Sequence, residues 1–178
     1  MSAKAPSAGQ PGLFSTPGGP RTGNLPLHVL RHGTGLVTFG LLFGFVVPLT
    51  PYPRLGLTAH IQFCVEGTMI LATGLLLQSD PFSTDAEGQR RVPLADRLGP
   101  WQKRLVYVAT ASMWVTLLSE AANAWWGTHW VLTLAHQAAG LTGSSPAAKW
   151  KEIVVALSHW PFGMLLAATY PCVLGTMF

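Results

Sequence analysis

The stretch LTAHIQFCVEGTMILATGLLL, residues 57–77, decides the fold of this chain. It is long enough to cross the hydrocarbon core of a bilayer, for which a helix needs about 20 mostly apolar residues. Three further stretches share this character, at residues 27–49, 105–126 and 150–177. Of the 178 residues, 49% are hydrophobic and only 10% are charged, whereas a soluble domain has about 25% charged residues. The sequence therefore predicts an all-α integral membrane protein built as a four-helix bundle.

The first 25 residues differ from the rest of the chain. They read MSAKAPSAGQPGLFSTPGGPRTGNL, which is rich in Ser, Pro and Gly. The segment lacks the uninterrupted apolar core of a cleavable signal peptide, and its composition is typical of a flexible polar chain. We therefore expect a flexible tail at residues 1–25 and one membrane domain at residues 26–178.

Basic residues are distributed unevenly between the two sides that four spans create. One side carries eight: Lys4, Arg21, Arg31, Arg90, Arg91, Arg97, Lys103 and Arg104. The other side carries three: Arg54, Lys149 and Lys151. Because cytoplasmic loops are enriched in Lys and Arg, this distribution predicts that both termini are cytoplasmic. It also accounts for the net charge of +4, and no basic patch with interleaved aromatic residues remains to indicate nucleic acid as a partner.

Ionisable side chains within the spans are the candidates for function, because each is costly in hydrocarbon and needs a polar partner. His60 lies about one turn into the second span, and Glu66 follows about two turns later. In the third span, Thr116, Glu120 and Asn123 are spaced so that they share one helical face. At about 1.5 Å per residue, His60 and Asn123 lie at similar depths, with Glu120 about one turn deeper. We therefore expect the two glutamates to converge with His60 and Asn123 in one half of the bundle.

Simpler structural roles are open for the histidines and for the small residues. His60, and His159 in the fourth span, could each hydrogen-bond across helices without binding a ligand. The other histidines are expected at the headgroups or in the outer loop: His28, His32, His129 and His136. Gly40 and Gly44 form a Gly-x-x-x-Gly pattern, which allows close packing either inside one bundle or between subunits.

Motifs of soluble enzymes are missing from the sequence, which has no nucleotide-binding glycine loop, no Cys-x-x-Cys and no Ser-His-Asp order. Apart from His28 and His32, which are expected at the headgroups, the spans lack a His-x₃₋₅-His pair that would indicate zinc. A neutral imidazole in an aromatic-rich membrane pocket does suit a haem bound through one axial nitrogen.

Three segments resemble a known family when they are taken in order. They are RHGTGLVTFGLLFGF in the first span, PRLGLTAHIQFCVEG at the start of the second, and LSEAANAWWGT at the end of the third. Their order resembles the small four-helix membrane isomerases that include styrene oxide isomerase and hydroxylaminobenzene mutase. The resemblance runs from residue 27 to the C-terminus, and the Pro-Arg-x-Gly-Leu-Thr-Ala-His opening looks most like the mutase branch.

The resemblance implies a haem b at a subunit interface of a homotrimer, with His60 as the axial ligand of the ferric iron. The family's Ala-Asn is kept at Ala122 and Asn123. Where styrene oxide isomerases have Asn-Gly after the haem histidine, this chain has Glu66 followed by glycine. Where they have a tyrosine four residues beyond the Asn, this chain has Gly127.

The resemblance then implies an isomerase that acts on a small hydrophobic substrate, and the apolar spans make the lipid bilayer a second expected partner. The expected reaction converts an aromatic epoxide to an aldehyde or ketone, with the ferric haem as Lewis acid. Glu66, Glu120 and Asn123 would orient the leaving oxygen or move its proton. Three alternatives are open: an arylhydroxylamine mutase, a b-type electron carrier with His159 or His129 as second axial ligand, and a haem-free proton-coupled carrier or structural protein.

Overall fold

A computed structural model describes residues 24–79, 92–141 and 147–176. Six α-helices occur in these ranges: α1 Leu25–Val46, α2 Pro53–Gln78, α3 Leu94–Arg97, α4 Pro100–Trp126, α5 Thr133–Ala138 and α6 Lys149–Leu174. The first helix continues into a short 3₁₀ turn, Val47–Leu49. These described ranges contain no β-strand, which confirms the predicted all-α class.

In the described part of the chain, four helices are long and apolar enough to cross a membrane: α1, α2, α4 and α6. This confirms the prediction of a four-helix, multi-pass membrane protein. All four begin before the predicted apolar stretches, and the largest differences are at α2, which begins at Pro53 and not at residue 57, and at α4, which begins at Pro100 and not at residue 105. Proline suits the first helical turn because it lacks an N–H that would be unpaired there, but it adds nothing to an apolar run.

Two predictions depend on residues outside the described ranges. Only the last two residues of the tail expected at 1–25 are described, and Leu25 is already helical. Four of the basic residues that predict the orientation also lie outside: Lys4, Arg21, Arg90 and Arg91. The cytoplasmic location of both termini therefore stays a prediction. For brevity, the end of the bundle where α4 finishes is called the Trp126 end.

Glycines bring α1 and α2 into close contact. A Cβ atom at Gly40 would lie only 2.7 Å from Phe63 Cβ, and one at Gly67 would lie 2.8 Å from the backbone nitrogen of Val37. A Cβ at Gly44 would lie 2.9 Å from the imidazole of His60. Gly40 and Gly44 therefore serve packing inside the chain, as small residues do in membrane helix pairs.

The fourth helix, α4, is the most buried span and packs against α1, α2 and α6. Its predicted polar face, formed by Thr116, Glu120 and Asn123, is buried in protein. Phe63 and Leu117 contribute to the apolar core around it. Polar groups in this position are shielded from lipid and must find partners on neighbouring helices. The position of α4 therefore brings its polar side chains to the functional candidates of α2 and α6.

Candidate functional site

His60 lies against the first helix, and its hydrogen bond to that helix determines which nitrogen of the imidazole carries the hydrogen. The Nδ1 atom is 2.7 Å from the carbonyl oxygen of Gly40. A carbonyl oxygen only accepts hydrogen bonds, so Nδ1 carries the hydrogen and donates it. In the neutral ring Nε2 then has a free lone pair, and a carbonyl that accepts from Nδ1 in this way orients a histidine for binding a metal through Nε2. The absence of a side chain at Gly44 leaves room for this ring position.

Glu120 is fully buried and joins three helices through its carboxylate. With its amide oriented so that the nitrogen faces the carboxylate, Gln62 on α2 donates hydrogen bonds to both carboxylate oxygens. On α6, His159 Nδ1 lies 3.0 Å from Glu120 Oε1, although this contact is not aligned as a hydrogen bond. Glu120 therefore has polar partners that the sequence did not reveal. The only sequence signal for them was the polar character of Gln62 and His159 inside apolar spans.

Glu66 lies one helical turn beyond Gln62 on the same side of α2. It is half-buried and within electrostatic range of both Glu120 and Tyr170. The structure therefore brings the two predicted carboxyl groups together. His60, in contrast, is directed toward α1, so the expected convergence of all four residues is only partial within a single chain.

Asn123 is buried and holds the turn that follows α4. Its Oδ1 accepts hydrogen bonds from the backbone N–H of Thr128 (2.5 Å) and from the Thr128 hydroxyl (2.7 Å), and its Nδ2 donates to the Thr128 carbonyl (3.3 Å). The chain between them passes through Gly127 at a positive φ of 63°. The side-chain amide of Asn123 thus forms its hydrogen bonds within this turn. The catalytic role predicted for Asn123 stays a prediction.

The same turn gives a physical account of the glycine at position 127. A Cβ atom there would lie 2.7 Å from Cζ of Tyr52. The ring of Tyr52 already occupies the space into which a side chain would extend. In addition, the left-handed backbone at Gly127 disfavours any residue with a side chain. A tyrosine at this position is incompatible with the packing of this chain.

A second buried glutamate, Glu152, was missed by the sequence reasoning. It is only 1% exposed and accepts hydrogen bonds from the backbone N–H groups of His129 and Trp130, at 3.0 to 3.2 Å. The Nδ1 atom of His129 also lies 3.0 Å from its carboxylate. The signal in the sequence was the position of Glu152, a carboxyl group in the first turn of the apolar helix α6. Glu152 ties the segment after α4 to the start of α6.

His136 is buried in that same segment, on α5. Its ring centre lies 5.4 Å from that of His129. Burial, and then the neighbouring His129, lower the pKa of His136, while Glu152 opposes this change. A neutral His136 is therefore favoured in the folded segment.

No three His, Cys, Asp or Glu side chains group as metal ligands within residues 24–79, 92–141 and 147–176. A haem requires only one axial side chain from the protein. His60 fits that requirement, because its ring orientation is held from Nδ1 and Nε2 is left for a ligand.

Comparison with known proteins gives a family. Residues 27–178 match the family model of styrene oxide isomerase. A segment of 52 residues is 38% identical to hydroxylaminobenzene mutase HabB of Ectopseudomonas oleovorans, and it covers 29% of this chain and 32% of that protein. The similarity thus spans about a third of the curated relative, and no solved structure matches the chain. Both names are those of isomerising enzymes, in agreement with the predicted class, and the chain belongs to the styrene oxide isomerase family.

Proposed function

We propose that this protein is a haem b-dependent membrane isomerase that rearranges a small aromatic epoxide to an aldehyde or ketone. The rearrangement consumes no net electrons and no water. The observation that carries the proposal is the family match over residues 27–178. The hydrogen bond between His60 and Gly40 supports the haem-binding part of the proposal.

His60 would hold the haem iron, with Gly40 and Gly44 keeping its ring in place. When bound, the ferric haem would supply a Lewis acid for the substrate oxygen. The carbonyl of Gly40 prevents rotation of the imidazole and keeps the hydrogen on Nδ1. The contribution of the chain at this point is therefore a pre-oriented, neutral nitrogen ligand.

Glu66 would be the carboxyl group that holds and returns a proton at the substrate oxygen. It is half-buried, whereas Glu120 is fully buried and contacts protein groups. A substrate can thus reach Glu66 and not Glu120. We assign Glu120 a positioning role, exerted through Gln62, while Asn123 shapes the turn at the Trp126 end. General acid–base assistance of this kind typically contributes about 10²–10⁴-fold to a rate.

The proposed assembly is a homotrimer with the haem at a contact between copies. His60 is only half-buried in one chain, so its ring is not enclosed by its own subunit. Because His60 and Glu66 lie on different sides of α2, a shared site requires these sides of neighbouring copies to face each other. Both termini are proposed to be cytoplasmic, on the eight-to-three distribution of Lys and Arg.

A second candidate is a hydroxylaminobenzene mutase-type reaction, in which an arylhydroxylamine becomes an aminophenol. The segment that is 38% identical to HabB favours it. Cleavage of the N–O bond and return of the hydroxyl group to the ring would use the same proton-holding role of Glu66. The two candidates therefore differ in substrate and share their machinery.

The test uses the detergent-purified protein without reductant. We expect a Soret band, and conversion of either styrene oxide or phenylhydroxylamine to a product of unchanged mass. The substrate that is converted identifies the reaction. A bis-histidine spectrum that does not respond to added imidazole would instead favour the electron carrier. Absence of both haem and conversion would overturn the proposal.

A further inference from the structure

A cavity beside His159, open at the outer surface of the bundle, is not used by the proposed function. It has a volume of about 290 Å³ and is lined by Val131, His159, Trp160, Gly163, Met164 and Ala167. His159 is the only ionisable side chain among these lining residues, and the others are apolar or aromatic. His60 is directed toward α1, on the other side of α2, so this cavity is a separate site within one chain.

The pair formed by Glu120 and His159 determines which polar atom of His159 is available to a ligand in this cavity. Because Gln62 donates to both oxygens of Glu120, the carboxylate acts as an acceptor. The Nδ1 atom of His159, 3.0 Å away, is therefore the nitrogen that carries a hydrogen. Nε2 lies at the opposite edge of the ring, and the side chain is 27% exposed whereas Glu120 is 0% exposed. His159 is thus the member of the pair that a ligand can reach.

We propose that the cavity binds a small neutral molecule with an aromatic body and one hydroxyl group, and that Glu120 holds His159 in position to bind it. A hydroxyl group both donates and accepts, so it can bond to Nε2 whether or not that atom carries a proton. Apart from His159, the lining offers no charge for an ionic ligand, and Trp160 offers an aromatic face for a ring. The proposal does not depend on the proposed function.

The test measures the reaction of diethyl pyrocarbonate with each histidine of the full-length protein, read by mass spectrometry. The probe is 2-phenylethanol, and ethylbenzene serves as the control compound without a hydroxyl group. We expect 2-phenylethanol to slow the modification of His159 by about tenfold more than ethylbenzene does, the effect of one good hydrogen bond. The modification rates of His129 and His28 should not change.

Matched variants separate the cavity from its supporting pair. Glu120→Gln should reduce the protection by about fivefold, because a neutral amide attracts the hydrogen on Nδ1 less strongly than a carboxylate does. Glu152→Gln is the control, since it alters an equally buried carboxylate paired with a different histidine at the same 3.0 Å distance. Gly163→Leu should abolish protection by filling the cavity, because a Cβ there meets no atom within 4 Å. Equal protection by both compounds, or protection that survives Glu120→Gln and Gly163→Leu, would overturn the proposal.

Discussion

The two sides of α2 use polar groups in different ways. On the side that faces α1, glycines allow close backbone packing, and His60 bonds to a backbone carbonyl. On the side that faces α4 and α6, Gln62 bonds to the Glu120 carboxylate, and Glu66 lies within electrostatic range of that group. A backbone carbonyl cannot change its protonation state, whereas carboxyl and imidazole groups can. The first side is therefore suited to fixing a ligand, and the second to holding protons.

The largest expected effect concerns the side facing α1. His60→Ala should remove nearly all haem while the four spans remain inserted, because loss of a polar group from a span favours insertion. The measurement is the haem content per protein from the visible spectrum and a mass-based haem assay. His32→Ala is the control. His32 is also half-buried within a span, but its Nδ1 accepts a hydrogen bond from the indole N–H of Trp114. Full haem occupancy in His60→Ala would refute the assignment.

The next effect concerns the side facing α4 and α6. Glu66→Leu should lower turnover per bound haem by about 10²–10⁴-fold, because it removes both proton transfer and hydrogen bonding. Glu66→Gln, which keeps a hydrogen-bonding group of similar shape, should lose less. Haem content should stay near that of the parent protein in both variants. Unchanged turnover in Glu66→Leu would mean that this carboxyl group only packs against its neighbours.

A matched pair of glycine variants tests the close packing between α1 and α2. Gly40→Ala should destabilise the protein by about 1–3 kcal/mol, because the added methyl group lies 2.7 Å from Phe63 Cβ and must push the helices apart. Gly163→Ala has open space around its Cβ, so it should be neutral or slightly stabilising. Thermal unfolding in detergent compares the two variants. Equal stability of both variants would show that close packing is not required on this side of α2.

The smallest effect is a pH dependence outside the spans. Because the pKa of His136 is lowered from 6.5 by burial and by His129, the unfolded segment binds a proton more readily than the folded one. The contribution of neutral His136 to the stability of the folded segment is therefore complete above about pH 6.5. It is lost as the pH falls through the lower pKa that His136 has in the folded state. Hydrogen exchange in α5, corrected for intrinsic rates, should accelerate by about threefold between pH 7.5 and 5.5. His136→Gln should remove this dependence, and an unchanged profile in that variant would contradict it.

The sequence predicted the depth of the candidate residues better than their direction. Residue position along a helix translates into depth at about 1.5 Å per residue, which correctly placed Glu66 and Glu120 near each other. The prediction that His60 joins them is met only in part, because the pattern carries no information on how α2 is rotated against α1. That rotation depends on which glycines meet the partner helix. Glu152 was missed for a related reason, since its donors are backbone N–H groups of a distant loop.

Span number, helical class and the buried face of α4 follow from composition and periodicity. The hydrocarbon thickness requires a minimum apolar length, and polar side chains at helical spacing must turn away from lipid. Which polar groups contact each other is decided only by the tertiary structure. The contacts of His60 with Gly40, of Gln62 and His159 with Glu120, and of Glu152 with His129 all join residues distant in sequence. They exist because helices pack through complementary surfaces, and that complementarity arises only when the whole bundle is assembled.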